Sequence, residues 1–289
     1  MIAPEQILAR LRQLPTLPAT VVRLSALLRD ERTGIADFEA VIRPDPALST
    51  NLLKIVNSAY FGLRCKAETV RQALSLLGLR RTSEVAAAAG FAPIIPARLP
   101  GYEVEAFSFW QHCVAVAVLT ERLSAEVGAP RPELTFTAGL LHDIGKLAIG
   151  FFVSQSSAEI LAGIHGRGLS FVEAERESLG VDHTGVGESL ARAWSLPTVV
   201  ADVVRWHHTP SAAPESSARE LVELVHVADA LSHALGLGAD AGELARQVDP
   251  ATEARLGIVP RRLERVAGAS LEEIRELACL FAPPAGVSP

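Results

Sequence analysis

Seven side chains of the kind that bind divalent metals follow one another along this chain in a distinctive order. Long stretches rich in Leu, Ala and Val separate them, and an unpartnered histidine or carboxylate is costly in such surroundings. One metal centre can use them all only if several helices bring them together, so the set restricts the folds open to the chain. The seven residues are His112, His142, Asp143, His183, His207, His208 and Asp229.

The hydrophobic pattern predicts an all-α protein. The chain has 289 residues, 49% of them hydrophobic, and its apolar residues recur at helical spacing. Asp45 is predicted as the N-cap of a helix that begins at Pro46, and residues 132–152 are predicted as one helix. Asn57 and Ser58 either cap the end of the helix that Asp45 begins or line a groove. The run APIIPARLPGY, with three prolines and a glycine, marks the boundary between two helical units.

Composition and charge exclude several classes of protein. The net charge is −6, with a basic first hundred residues and an acidic remainder, which argues against nucleic-acid binding. The basic part either is a solvated surface or faces an acidic partner or a nucleotide. Cys65, Cys113 and Cys279 lie far apart and form no CxxC pair, so we expect neither a disulfide framework nor a cysteine zinc site. We expect a cytoplasmic protein, because the N-terminus has no apolar signal core and no run is long enough to span a membrane.

The His142–Asp143 pair lies within the segment LLHDIGK. A carboxylate can bridge two metals while the neighbouring histidine binds one of them, and a buried hydrogen-bonded pair is the alternative interpretation. Lys146 is predicted on the same helical face as both residues. Its ammonium group can hold a phosphate oxygen or balance the charge of Asp143.

The histidines on other segments each have a structural alternative. His112 follows an aromatic stretch, where a core histidine is common. His183 follows Asp182, which either orients the imidazole ring or belongs to a helix start. The pair His207–His208 ends a helix, where an imidazolium also suits the helix dipole.

Asp229 lies among small apolar residues, where a bare carboxylate is costly unless it is paired or bound to a metal. His226 and His233 share its helical face. They are either alternative ligands or residues outside the ligand set.

The ordered set resembles the H…HD…H…HH…D pattern of the HD superfamily of metal-dependent phosphohydrolases. The segments LLHDIGK, DHTGVGESLARAWSLP, RWHHTP and VHVADAL are similar to one branch of it, the HD-related output domain (HDOD). The earlier segments LPTLPATVVRLSALL, IRPDPALSTNLLKIVNSAYFG and VRQALSLLGLRR also resemble HDOD proteins. The resemblance runs from about residue 10 to about residue 235.

The resemblance implies a two-lobed helical module of bacterial signal transduction. Residues 1–101 would form the N-terminal lobe and residues 102–284 the HD-like lobe. The seven histidines and aspartates would bind one or two ions of Fe, Mn, Zn, Co or Ni, and Lys146 would contact phosphate. A regulatory module of this kind would bind a signalling protein, a nucleotide or a cyclic dinucleotide.

A rival hypothesis from the same resemblance is a binuclear metal phosphohydrolase, with Asp143 and Lys146 as its catalytic residues. The metal pattern is also similar to that of the HD-GYP cyclic-di-GMP phosphodiesterases. That branch continues to a Gly-Tyr-Pro motif, whereas this chain reads HHTPSAAP. Some of its members bind a third metal with an acidic residue one turn before the first histidine, where this chain has Ser108. The sequence therefore does not support specificity for cyclic-di-GMP.

Overall fold

The computed structural model describes residues 6, 17–28, 30–57, 66–99, 101–102, 104–129, 132–215, 218–237 and 247–280. The predicted all-α fold is confirmed, since helices form nearly all of the regular structure in these ranges. The segment NSAYFG beyond Asn57, Ser58 included, lies outside the described residues, as do Cys65 and the start of the family resemblance before residue 17. No helix in the described part of the chain is both long enough and apolar enough to cross a membrane.

The described residues of the first part of the molecule include four helices: α1 (Ala19–Leu27), α2 (Ile35–Ile42), α3 (Pro46–Val56) and α4 (Val70–Phe91). Helix α4 packs against the other three, and Gly78 at φ +75° breaks its helical path. Asp45 caps α3 as predicted, because its Oδ1 accepts the backbone N–H of Leu48 at 3.0 Å. At the other end of α3, the side chain of Asn57 bonds both the N–H and the carbonyl of Ala67. Asn57 therefore has a structural role.

A short hairpin follows, at the predicted boundary. After a 3₁₀ turn at Ala92–Ile94, strand β1 (Arg98–Leu99) pairs antiparallel with β2 (Val104–Glu105). Between the two strands, Gly101 lies in the left-handed region at φ +80°.

The described residues that follow form ten helices. They are α5 (Ala106–Val127), α6 (Pro132–Leu141), α7 (Ile144–Gln155), α8 (Ser157–Arg167), α9 (Phe171–Leu179), α10 (His183–Ala193), α11 (Thr198–Trp206), α12 (Arg219–Ala234), α13 (Pro250–Leu256) and α14 (Pro260–Leu280), with a 3₁₀ turn at Pro210–Ala212 before α12. Helix α5 is central and packs against α6, α12 and α14. Its Trp110 is fully buried, and the indole Nε1–H donates to the Ala278 carbonyl at 2.9 Å.

The prediction of one helix over residues 132–152 is wrong. Two helices, α6 and α7, meet at His142 and Asp143, and Asp143 has φ −101° and ψ 16°. Asp143 thereby becomes the N-cap residue of α7, and its carbonyl accepts the N–H of Lys146 at 3.0 Å. Hydrophobic periodicity continues through the break because both helices bury apolar residues, so the pattern alone does not reveal it.

Two glycines let helices approach more closely than any larger residue permits. A Cβ on Gly139 of α6 would lie 2.8 Å from the Val116 carbonyl oxygen of α5. A Cβ on Gly145 of α7 would overlap the His183 carbonyl oxygen and lie 2.7 Å from its carbon. These contacts bring the His142–Asp143 break within reach of α5 and α10.

Some of the excess basic residues of the first hundred positions form ion pairs within the protein. Arg81 of α4 forms ion pairs with Glu84 of its own helix at 2.9 Å, with Glu121 of α5 at 3.4 Å and with Glu273 of α14. Arg80 pairs with Glu121 at 2.7 Å. These arginines therefore join the first helices to the acidic remainder of the chain.

Candidate metal centre

The structure brings all seven candidate ligands together from five places in the fold. His112 belongs to α5 and Asp229 to α12, the His142–Asp143 pair forms the break before α7, and His183 begins α10. The His207–His208 pair follows directly after α11. Six of the seven side chains are buried, and only His208 is partly exposed.

One group of four side chains lies on one side of Asp143. Asp143 Oδ1 lies 3.5 Å from His183 Nε2 and 3.6 Å from His207 Nε2. His208 Nε2 lies 2.9 Å from His183 Nε2. One atom from each of these four residues falls within 4.8 Å of all the others, which is the spacing of ligands around an ion.

A second group lies on the other side of Asp143. His112 Nε2 is 3.3 Å from His142 Nε2 and 3.4 Å from Asp229 Oδ1, and His142 Nε2 is 4.0 Å from that same oxygen. These three residues also satisfy the 4.8 Å spacing. Asp143 Oδ2 faces this group at 3.4 Å from His142 Nε2. The two oxygens of Asp143 thus point to different groups, the arrangement of a bridging carboxylate.

Hydrogen bonds on the far side of the rings hold the Nε2 atoms in place. A carbonyl accepts from His142 Nδ1 (Gly139, 2.8 Å), His207 Nδ1 (Val204, 3.0 Å) and His112 Nδ1 (Leu237, 3.1 Å). Because Nδ1 carries the hydrogen in each case, the lone pair of Nε2 faces the centre. This is the tautomer that a metal-binding histidine requires.

The His183 ring is held by a carboxylate that the sequence analysis missed. Glu175 Oε2 accepts both the His183 N–H and the Nδ1–H, each at 2.8 Å. Of the two interpretations of Asp182, the structure shows the helix start: Asp182 caps α10 by accepting the Gly185 N–H, and it pairs with Arg176. Nothing in the local pattern of the segment ERESLG distinguishes Glu175 from its acidic neighbours, so only the tertiary contact identifies it.

The other two candidate histidines lie outside both groups. His226 uses both ring nitrogens: Nδ1 donates to the His207 carbonyl at 2.7 Å, and Nε2 accepts the Asp249 N–H at 3.0 Å. His233 Nε2 lies 3.5 Å from Asp229 Oδ1. Among the described residues, neither belongs to a ligand-spaced group. Of the two interpretations left open by the sequence, the geometry favours a place outside the ligand set.

Two buried polar atoms in the centre make no hydrogen bond to the described residues. Within the described part of the chain, Asp143 Oδ1 and His207 Nε2 have no hydrogen-bond partner although neither is accessible to water. Buried polar atoms of native proteins nearly always have a partner. A divalent cation between these atoms would supply one, and the imidazole and carboxylate donors suit such an ion. The residues present therefore fit a metal.

The electrostatic environment of the centre favours neutral rings at His112 and His207 and an ionised carboxylate at Asp143, the forms that bind a metal. Burial lowers the pKa of His112, and it lowers the pKa of His207 to about 4, so both rings are neutral at pH 7. Burial opposes ionisation of Asp143, but Lys146 and His142 hold the pKa of that carboxyl well below its usual range. His142 differs: burial disfavours its charged form, yet Asp143 and Asp229 raise its pKa. Metal binding at His142 therefore competes with protonation of its ring.

Lys146 lies beside the bridging carboxylate. Its Nζ is 2.8 Å from Asp143 Oδ2, and the side chain is only 2% exposed. The structure therefore shows Lys146 paired with Asp143, which is one of the two arrangements predicted for this lysine.

Comparison with known proteins gives the same fold. A protein of Treponema pallidum (strain Nichols), itself without an assigned function, is 26% identical over 216 residues, 71% of this chain, which spans only 40% of that relative. The crystal structure of an HDOD domain protein of unknown function from Geobacter sulfurreducens superposes with a TM-score of 0.74 at 22% identity, covering 99% of this chain and all of the other. A candidate phosphohydrolase from Shewanella amazonensis SB2B gives a TM-score of 0.72 at 23% identity, covering 96% and 98%.

The HDOD domain model matches residues 14–210, well over half of the chain. That range includes the helices α1 to α4 and six of the seven candidate ligands, Asp229 being the exception. The chain therefore belongs to the HDOD family.

Proposed function

We propose that this protein is a regulatory HDOD module with a divalent-metal centre, acting by binding a signalling partner protein or a nucleotide. The convergence of the ligand-type side chains on the two oxygens of Asp143 supports the metal centre. Two groups that share one carboxylate suit two ions. His183, His207 and His208 would hold one of them with Asp143, and His112, His142 and Asp229 would hold the other.

The burial of the candidate centre is the observation that supports a regulatory function rather than hydrolysis. Asp143 and Lys146, which a hydrolytic reaction would use, are 1% and 2% exposed and bind each other. A phosphoester would have to open this packing and separate Lys146 from Asp143 before it met either residue. A buried metal centre connects α5, α7, α10 and α12, so metal binding would fix how these helices pack. The packing of the helices in turn determines the surface that a partner meets.

Elemental analysis of the purified protein tests the centre. We expect about two divalent ions per chain. His112→Gln and His207→Gln should each lose one ion, and Asp143→Asn should lose most of both, because it removes the shared ligand. His165→Gln is the matched control, since His165 is exposed and lies outside both groups. A wild-type protein that binds no Fe, Mn, Zn, Co or Ni even after reconstitution overturns the proposal.

A turnover assay tests the regulatory assignment. Metal-loaded protein is incubated with bis(4-nitrophenyl) phosphate, with nucleotides and with cyclic dinucleotides, beside His142→Ala. We expect no hydrolysis above that of the variant. Efficient hydrolysis by the wild type that His142→Ala abolishes would show that the protein is an enzyme.

The position of Asp143 between the two groups favours a second candidate, a binuclear metal-dependent phosphohydrolase. A bound pair of metals supplies a hydroxide near neutral pH and a clamp for phosphoryl oxygens. In that case Lys146 would transfer its hydrogen bond from Asp143 Oδ2 to a phosphoryl oxygen and stabilise the charge that develops there. The segment TPSAAP after His208 still lacks the Gly-Tyr-Pro motif, so cyclic-di-GMP specificity is not part of this candidate.

A further inference from the structure

A buried tyrosine of the hairpin between the first four helices and the rest of the fold reaches the candidate metal centre. Tyr102 follows the turn at Gly101 and is only 5% exposed. Its hydroxyl donates to Glu175 Oε1 at 2.5 Å, and Glu175 Oε2 accepts the two N–H groups of His183. One continuous chain of hydrogen bonds therefore runs from the hairpin to a candidate ligand.

The ring of Tyr102 makes a second connection to the centre, through Lys146 to the oxygen of Asp143 that faces the other group. Lys146 Nζ lies 5.5 Å from the centroid of the ring, a cation–π distance, and the same Nζ binds Asp143 Oδ2. On its own side the ring stacks on Phe171, with centroids 5.1 Å apart. Tyr102 is thus linked to His183 through Glu175 and to Asp143 through Lys146.

The backbone of the hairpin fixes where this tyrosine lies. Gly101 packs so closely on α7 that a Cβ there would lie 2.5 Å from the Ser154 nitrogen and 2.7 Å from the Val153 carbonyl carbon. The pairing of β1 with β2 and the hydrogen bond from Ala106 N to the Ala97 carbonyl close the hairpin. A displacement of the hairpin would therefore move Tyr102 away from Glu175.

Glu175 needs these donors. It is fully buried, and a buried carboxylate is stable only when hydrogen bonds or a cation compensate its lost hydration. The Tyr102 hydroxyl and the two N–H groups of His183 provide three such bonds. A carboxylate on Nδ1 of a metal-binding histidine also fixes the ring and raises the basicity of Nε2.

We propose that Glu175 and Tyr102 are positioning residues that make metal affinity in the His183 group depend on the placement of the hairpin. This inference rests on the proposed metal centre. Different residues hold the rings of the other group. His112 Nδ1 is in hydrogen-bond contact with the Leu237 carbonyl and the Ser232 hydroxyl, and His142 Nδ1 donates to the Gly139 carbonyl. Loss of the Tyr102–Glu175 or Glu175–His183 hydrogen bonds therefore acts on the His183 ring and on the ion of that group.

Chelator competition with Zn²⁺ tests the proposal by measuring the two dissociation constants of the wild type, Glu175→Gln and Tyr102→Phe. Loss of such a carboxylate typically weakens metal binding about 10–100-fold, and we expect this for one of the two ions in Glu175→Gln. Tyr102→Phe keeps the ring and removes only the hydroxyl, so its effect on the same ion should be smaller. Thr120→Val is the matched control, because it removes a buried hydroxyl that bonds the Val116 carbonyl at 2.7 Å, away from the centre.

Gly101→Ala supplies an independent variant that displaces the hairpin without changing a polar group. It should weaken the same ion as Glu175→Gln, and if it does not fold, Tyr102→Phe still decides the question. Two ions with wild-type affinities in both Glu175→Gln and Tyr102→Phe overturn this inference and leave the metal centre standing. A wild-type protein without two Zn²⁺ ions instead overturns the binuclear centre itself, and this inference with it.

Discussion

The substitution Gly145→Ala tests the close approach of α7 and α10, on which the His183 group depends. The added Cβ would overlap the His183 carbonyl oxygen and lie 2.9 Å from the Gly187 nitrogen. Non-bonded heavy atoms prefer separations of about 3.5–4 Å, so the start of α10 must move by more than about 1 Å. Both obstacles are backbone groups of a helix, which a rotamer change cannot remove.

The magnitude follows from two opposing effects. Overpacking a core costs about 1–3 kcal/mol and occasionally more, and the overlap with backbone places Gly145→Ala at the upper end. Alanine favours a helix over glycine by about 1 kcal/mol. We therefore expect the free energy of unfolding to fall by about 2 kcal/mol, which lowers Tm by about 3–4 °C for a protein of this size.

Denaturation in the presence of a chelator measures this effect without any contribution from bound metal. The matched control is Gly268→Ala in α14, where a Cβ meets nothing within 4 Å. That variant should raise the free energy of unfolding by about 0.5–1 kcal/mol, because glycine costs conformational entropy in a helix. Equal effects of Gly145→Ala and Gly268→Ala would refute the packing argument.

Metal analysis of Gly145→Ala gives a second measurement of the same displacement. A shift of about 1 Å at His183 far exceeds the ±0.2 Å tolerance of metal–ligand distances. Gly145→Ala should therefore lose the ion of the His183 group, while His112, His142 and Asp229 keep theirs. Retention of two ions would contradict the proposed link between this helix contact and the centre.

Three further predictions concern other parts of the fold. Arg81→Met should destabilise the protein by about 3 kcal/mol in urea denaturation, because Glu84 and Glu273 lose a common cation, and a change below about 0.5 kcal/mol would contradict this. Asp45→Ala should cost about 1 kcal/mol through loss of its bond to the Leu48 N–H, whereas Asp45→Asn, which can still cap α3, should cost much less. Zn²⁺ at 100 times its dissociation constant should stabilise the folded protein by about 2.7 kcal/mol per site, so a Tm that does not respond to a chelator would argue against bound metal.

The sequence alone predicted the fold class, the family and the candidate ligands. Helical periodicity is local, so α3 with its Asp45 cap and the long α5 could be located without tertiary information. The candidate ligands were identifiable because histidine and aspartate are costly in apolar helices unless a partner compensates them. That cost depends on residue type and neighbours, both of which the sequence contains.

Only the tertiary structure decided how these residues act together. The break at His142–Asp143 was not predicted, because apolar residues continue on both sides of it. The role of Glu175 was not predicted either, since an acidic residue in a helix gives no local sign that a histidine eight residues later will meet it. The division of the candidate ligands into two groups depends on α5, α10 and α12 meeting around Asp143. Such contacts join residues far apart in the chain, and their energies depend on packing and burial that no local pattern encodes.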